Sequence, residues 1–298
     1  MEIAQALEAR VIPFEFEYFS PKNLPETLSL LKSHGKDAKI LAGGTDLIVG
    51  LKKGMKCKYI VSLKDVDELS YVAAEKEMLR IGALTKLRDV EKSSVISEKF
   101  EALHEAAKDL GSPMVRNMGT IGGNICNASP AADCAAALLA LDARLKVVGS
   151  GERIVPIDKF FVAPQETVLG PTELLTEIQI PYLPDEATSK FLRIKRVGIS
   201  VSSVCAAVAM LLKRREVEFI RIGLGAVSPT PVRAYKTEEY LKGKSLSADT
   251  VDRALEKLED EMRPITDVRG TADYRTYATK ALVRQAIEVL ESRRGGTA

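Results

Sequence analysis

Two glycine pairs constrain this chain more than any other feature. They are Gly43-Gly44, in Leu41-Ala42-Gly43-Gly44-Thr45-Asp46-Leu47, and Gly122-Gly123, in Thr120-Ile121-Gly122-Gly123-Asn124. Each follows an apolar residue and is bounded by small or polar ones, the composition of a tight turn whose backbone N–H groups face an anion. A Cβ at those positions would keep a pyrophosphate from the donors, and Thr45, Thr120 and Asn124 add polar side chains. Taken singly, either pair reads equally well as a structural turn. Two in one half of the chain imply one phosphate-bearing ligand held from both sides. No G-x-G-x-x-G follows a strand, so a doubly wound dinucleotide fold is a poor reading.

Around the pairs, hydrophobic periodicity predicts a chain in two parts. Glu15–Phe19 alternates as a strand, Ser20-Pro21 breaks it, and a helix opens at Asn23 or Pro25 and runs through Leu31. Lys39–Ala42 reads as a short buried strand entering the first glycine turn, and Lys58–Leu63 as another, with alternating apolar residues on to Ile81. A helical pattern covers Asp89 to Leu110 and stops at Leu110-Gly111-Ser112-Pro113. An alanine- and leucine-rich helix over Ala131–Leu141 carries Asp133 near its start, and Arg144–Val148 follows as a strand. Pro181–Glu186 marks a domain boundary. Beyond it, Lys190–Lys213 and Val217–Val227 read as long strands, and segments near 249–262 and 272–292 as helices. The class is α+β, its second part an antiparallel sheet backed by helices.

Composition narrows the function. At 298 residues, 46% hydrophobic and 28% charged, the chain suits two globular domains rather than a disordered polymer. A net charge of +2 gives no field for nucleic acid or an anionic membrane, and Lys52-Lys53 with Lys56 and Lys58 reads as solvated surface. No apolar run approaches the ~20 residues that span a bilayer. Met1–Arg10 lacks the basic start of a signal peptide, so a cytoplasmic location is expected. Cys57, Cys126, Cys134 and Cys205 form no C-x-x-C pair and read as reduced thiols, not metal ligands; His34 and His104 read as surface residues of helices. Gly243-Lys244-Ser245 imitates the end of a phosphate loop, but Glu238 stands where its first glycine is needed, so it reads as a turn. Asn127-Ala128-Ser129 fits a glycosylation sequon without the secretory signal that would make it one.

The first glycine segment, with Arg116–Asn124 and with Ala131-Ala132-Asp133 ahead of Ala137–Ala143, resembles the FAD-binding medium subunit of the molybdenum hydroxylases. The likeness covers nearly the whole chain, including Ile180-Pro181 and Asp267–Arg275. It implies a two-part FAD-binding domain of the vanillyl-alcohol-oxidase type at 12–183, with subdomains near 12–64 and 65–183. A smaller C-terminal domain follows at 188–293. The resemblance places Leu41, Ala42, Gly43, Gly44, Thr45, Asp46 and Leu47 around the FAD pyrophosphate and ribityl region, and Thr120, Ile121, Gly122, Gly123 and Asn124 on the other side of the diphosphate. Asp133 matches an acidic residue that hydrogen-bonds the cofactor, and Leu175 an apolar contact. Some members carry a flavin-contacting lysine just after the residue matching Phe191; here that position is Leu192, flanked by Lys190 and Arg193. Thr120 to Asp133 runs without the insertion that holds an extra iron–sulfur cluster in 4-hydroxybenzoyl-CoA reductase.

The resemblance also implies partners: a large subunit with the molybdenum cofactor and a small one with two [2Fe–2S] clusters, as a heterotrimer or a dimer of heterotrimers. This chain would then relay electrons through FAD, with no catalytic side chain and no metal of its own. Three other readings are a self-sufficient flavin oxidase of the same fold, a flavin-dependent reductase of cell-wall precursors, and a non-redox FAD-binding scaffold. The C-terminal match weighs against the reductase, and the size of the last ~110 residues, that of one small domain, weighs against the oxidase.

Overall fold

A computed structural model of the chain describes residue 12 and residues 14–295; the reading of Met1–Arg10 lies outside them. The first unit is β1 (Glu17–Phe19), α1 (Leu24–His34), β2 (Ala38–Leu41), α2 (Leu47–Lys52) and β3 (Tyr59–Ser62). Its three strands are parallel in the order β1-β3-β2, which forces each pair to be joined by a crossover. Asn23 starts α1 by accepting the Glu26 N–H at 2.9 Å, and Pro25 in the first turn costs no hydrogen bond. Leu31, Val61 and Leu63 form a small core with Leu69 and Leu174. The strand expected to be buried, β2, is half-exposed, because it lies at the sheet edge. His34 is half-buried at the end of α1, its ring 5.0 Å from Phe19 and 3.9 Å from Tyr59.

The second unit runs β4 (Val72–Ala74), β5 (Met78–Gly82), α3 (Leu87–Lys92), α4 (Ser94–Lys99), α5 (Glu101–Asp109), α6 (Pro113–Met118), α7 (Ile121–Cys126) and α8 (Asp133–Ala140). It continues with β6 (Arg144–Val148), β7 (Glu152–Pro156), the β8 (Phe161–Ala163) and β9 (Glu166–Thr167) hairpin, and β10 (Leu174–Pro181). The main sheet is antiparallel, ordered β4-β5-β10-β6-β7. The single helix expected from Asp89 to Leu110 is three. Ser93 and Phe100 leave the helical conformation, and the Phe100 ring is buried against Tyr182. Every residue of α8 is buried, which its alanine content permits: a thin helix fits between two sheets.

The last unit is β11 (Thr188–Ile194), β12 (Val204–Lys213), β13 (Glu216–Gly225), β14 (Val232–Arg233), α9 (Tyr235–Leu241), α10 (Ala248–Asp260) and α11 (Ala272–Gly295), the strands antiparallel in sequence order. This is the expected α+β arrangement. Strand β12 is buried on both faces. Cys205, Ala207 and Ala209 join the core around α8, while Val204, Ala206, Val208 and Met210 face the C-terminal helices. The long strand expected over Lys190–Lys213 is interrupted at 195–203, where Ser200 closes a local turn. Gly243, at φ +73°, is a turn in which Lys244 accepts the Val217 N–H at 2.9 Å; it follows helix α9, not a buried strand.

Candidate cofactor site

The first glycine segment connects β2 to α2. Gly44 has φ +73°, a left-handed conformation that glycine adopts without the strain a Cβ brings. Carbonyls hold the loop in place: Gly44 C=O accepts from Ile48 N–H at 3.1 Å, and Asp46 C=O from Gly50 N–H at 2.9 Å. No N–H of Gly43, Gly44, Thr45 or Asp46 donates to another described residue. Gly43, Gly44 and Thr45 are half-buried and Asp46 is exposed, so these donors are left to water or a ligand acceptor.

The second segment is built differently. The expected turn is the first turn of helix α7, with Thr120 as its cap: Thr120 Oγ1 accepts from Gly123 N–H at 3.1 Å. Ile121 N–H donates to Thr85 C=O at 3.0 Å, Gly122 N–H to Ala83 C=O at 2.9 Å, and Asn124 N–H to Thr120 C=O at 3.0 Å. Its backbone donors are therefore engaged within the protein. What it offers instead is a side chain: Asn124 Oδ1 is buried and accepts no hydrogen bond. An unpartnered buried amide oxygen costs about 1–3 kcal/mol, which a ligand donor would recover.

The glycines permit close packing of the chain. A Cβ on Gly43 would overlap the Met118 carbonyl oxygen and lie 2.7 Å from Gly119 Cα. One on Gly122 would lie 2.6 Å from Ala83, and one on Gly123 2.8 Å from Thr120 Oγ1 and 3.8 Å from Ala42 Cβ. On Gly44 it would press on Leu41 and Ile48. Glycine lets the two segments lie against each other and their neighbours. Helix α6, which Gly43 touches, is anchored by buried Arg116: its Nε donates to Glu91 at 2.8 Å and its Nη1 to the Leu110 and Gly111 carbonyls.

Asp133 opens α8 with both carboxylate oxygens engaged. Ser202 Oγ donates to Oδ1 at 2.6 Å, and the Arg193 guanidinium donates to Oδ2. Burial pushes the Asp133 carboxyl up, against the pull of Arg193. The residue ties α8 to the C-terminal sheet, a role its position in the sequence does not announce, since Arg193 and Ser202 lie 60 and 69 residues away. Arg193 is held there, and Lys190 pairs with Glu105, whose other oxygen accepts the Phe191 N–H at 2.9 Å. Leu192 packs toward the C-terminal helices. Leu175 is a core residue of β10, beside a bulge against β6. Cys126 is half-buried at the end of α7, its thiol pushed up to about 12 by burial, and Cys134 and Cys205 are fully buried. Such thiols are unreactive.

Two family models together span this architecture. Residues 14–183 match the FAD binding domain in molybdopterin dehydrogenase, and residues 189–290 match the CO dehydrogenase flavoprotein C-terminal domain. The chain belongs to this family of FAD-binding oxidoreductase subunits. It is 35% identical over 279 residues to the glyceraldehyde dehydrogenase medium chain of Sulfolobus acidocaldarius, covering 93% of this chain and 98% of the relative. Among solved structures, carbon monoxide dehydrogenase of Hydrogenophaga pseudoflava superposes with a TM-score of 0.92 at 33% identity, covering 95% of this chain and 99% of that one. Quinoline 2-oxidoreductase of Pseudomonas putida 86 gives a TM-score of 0.87 at 25% identity, covering 96% and 99%. The medium-subunit resemblance drawn from the glycine segments is borne out, and with it the FAD-binding class. No helix among the described residues is long and apolar enough to cross a membrane.

Proposed function

We propose that this chain is the FAD-carrying electron-transfer subunit of a heteromeric molybdenum hydroxylase. Electrons reach it from [2Fe–2S] clusters on a small partner chain and leave to an external acceptor. Substrate chemistry belongs to a large partner chain with the molybdenum cofactor, in a cytoplasmic heterotrimer or dimer of heterotrimers. The observation that carries this reading is the run of undonated N–H groups at Gly43–Asp46, in a loop that packs on α6 through Gly43, with the unpartnered buried oxygen of Asn124 on the following helix α7. Near-full-length relatives that are dehydrogenase medium chains support it from a second direction.

In this reading Leu41–Leu47 hold the diphosphate and ribityl region through backbone donors. Thr120–Asn124 form the opposing wall, where Asn124 Oδ1 takes a hydrogen bond from the cofactor. Leu175 contributes apolar surface, and Asp133 fixes α8 against the C-terminal sheet through Arg193 and Ser202. Bound FAD supplies the two-electron and one-electron redox chemistry, while the protein binds and orients it. The chain divides into an FAD-binding part at 12–183, with subdomains near 12–64 and 65–183, and a C-terminal part at 188–293.

Purification of the tagged chain from its own organism tests the assignment. The expected result is one FAD per chain with two co-purifying subunits, one carrying molybdenum and one carrying iron. Separated from them, the FAD-loaded chain should not oxidise the complex's substrate. Substrate turnover by the isolated chain, or a flavin that substrate fails to reduce in the intact complex, would overturn the reading.

A further inference from the structure

We propose that Thr85 is a positioning residue for the FAD of the proposed function, on which the inference rests. It fixes residues 83–87, the strip that leaves β5 after Gly82 and enters α3 at Leu87. One edge of this strip sets the second glycine segment. Gly122 N–H donates to Ala83 C=O at 2.9 Å, Ile121 N–H to Thr85 C=O at 3.0 Å, and Leu87 N–H to Gly119 C=O at 2.9 Å. These bonds, with the antiparallel bridge of Lys86 to Thr120, decide where α7 starts. They therefore decide where Asn124, in the first turn of α7, places its unpartnered Oδ1.

The other edge is tied toward the first segment. Ala83 N–H donates to Thr176 C=O at 2.9 Å, in β10, and Leu84 N–H to Leu69 C=O at 2.8 Å. The Leu84 side chain packs on the core that contains Leu63 and Leu69. Leu63 N–H, just after β3, donates to Leu41 C=O at 2.9 Å, where the first glycine segment begins. The two segments come together beyond it: a Cβ on Gly119 would lie 3.6 Å from Thr45 Oγ1. The strip is thus bonded to the second segment and packed on the support of the first.

Thr85 holds the strip to what lies behind it. It is 2% exposed, so its hydroxyl must find partners inside the protein. Oγ1 donates to Tyr71 C=O at 2.8 Å and accepts the Tyr71 N–H at 3.1 Å, two bonds to one residue. Tyr71 is itself fixed, because its phenol donates to Glu177, a buried carboxylate that also accepts from Arg80 Nε and Gln179 Nε2, each at 2.7 Å. Burial and Glu177 push that phenol up to about 12, so it stays a donor across the neutral range. A valine at position 85 keeps the shape of threonine and deletes both bonds to Tyr71, while Ala83 and Leu87 stay packed in the main core. FAD held between two walls binds the molecules in which both are in place, and its apparent affinity scales with that fraction.

The test combines FAD titration of the full-length apoprotein with amide exchange on the same samples. Thr85→Val should weaken FAD binding about tenfold. In the apoprotein, its Ile121 and Gly122 amides should exchange faster, while those of β10 and β12 keep their wild-type protection. Thr85→Ser, which retains the oxygen, should return both properties to wild type. A Thr85→Val chain that loses protection evenly throughout and binds FAD as tightly as wild type would overturn the inference, leaving Thr85 a core residue alone. A serine variant that behaves like the valine one would overturn it as well. Where Thr85→Val yields no folded protein, Tyr71→Phe decides, since it removes one hydroxyl behind Thr85. Weaker FAD binding with faster exchange at Ile121 and Gly122 supports the assignment, and unchanged values overturn it. Wild-type apoprotein that takes up no FAD would overturn the cofactor reading itself, and this inference with it.

Discussion

The two glycine segments look alike in sequence and do opposite things. Around Gly43-Gly44 the loop is held through its carbonyls and leaves four backbone N–H groups without a described partner. Around Gly122-Gly123 the same residue type starts a helix, and each N–H from Ile121 to Asn124 has an acceptor inside the protein. One segment presents backbone donors; the other is a wall that presents a single side-chain oxygen. The difference teaches that a glycine pair records close packing, and that donor availability depends on what the neighbouring strands and caps have already taken.

The largest expected effect comes from breaking the contact of the first segment with α6, which leads into the second. Gly43→Ala drives a Cβ into the Met118 carbonyl, backbone against backbone, and should cost about 3 kcal/mol in denaturant unfolding and abolish FAD retention. A variant of wild-type stability would show that the first segment does not pack on α6 as described.

A change on the wall should separate binding from stability. Asn124→Leu removes the unpartnered oxygen, so the apoprotein should be as stable as wild type or slightly more so, while FAD affinity by titration falls about tenfold. Unaltered affinity would remove Asn124 from the site.

Thr120→Ala deletes the α7 cap and should cost about 1 kcal/mol, with FAD affinity changing by less than in Asn124→Leu. A larger loss of affinity than of stability would return Thr120 to the ligand.

The smallest effect lies outside both segments and serves as their control. Arg153 holds the Glu173 carboxyl down to about 2, against burial and with help from the Gly170 N–H. A folded-state value below the ordinary 4.5 means that the stabilisation is complete above about pH 4.5 and disappears as pH falls toward 2. Arg153 is 42% exposed, so solvent screening limits the contribution to about 1 kcal/mol or less. Glu173→Gln should flatten that part of the stability profile without changing FAD affinity at neutral pH.

Much of this was legible in the sequence. Local signals located α1 through Asn23 and Pro25, the buried helix α8 through its alanines, and the C-terminal sheet through its apolar runs. What escaped had no local signal. The break at Phe100 goes with burial of its ring against Tyr182, and the interruption of the strand at 195–203 with serines bonded to distant residues. The resemblance named Asp133 as a cofactor contact, yet its partners Arg193 and Ser202 come from the other half of the chain. Spacing alone also could not tell an open loop from a helix start, because the acceptors that engage the second segment, Ala83 and Thr85, lie far upstream.

Amide hydrogen exchange with and without FAD tests the central claim most directly. The account predicts that the Gly43–Asp46 amides exchange fast in the apoprotein and become protected when FAD binds, whereas Ile121–Asn124 are protected in both states. Protection gained at Ile121–Asn124 with Gly43–Asp46 unchanged would contradict it.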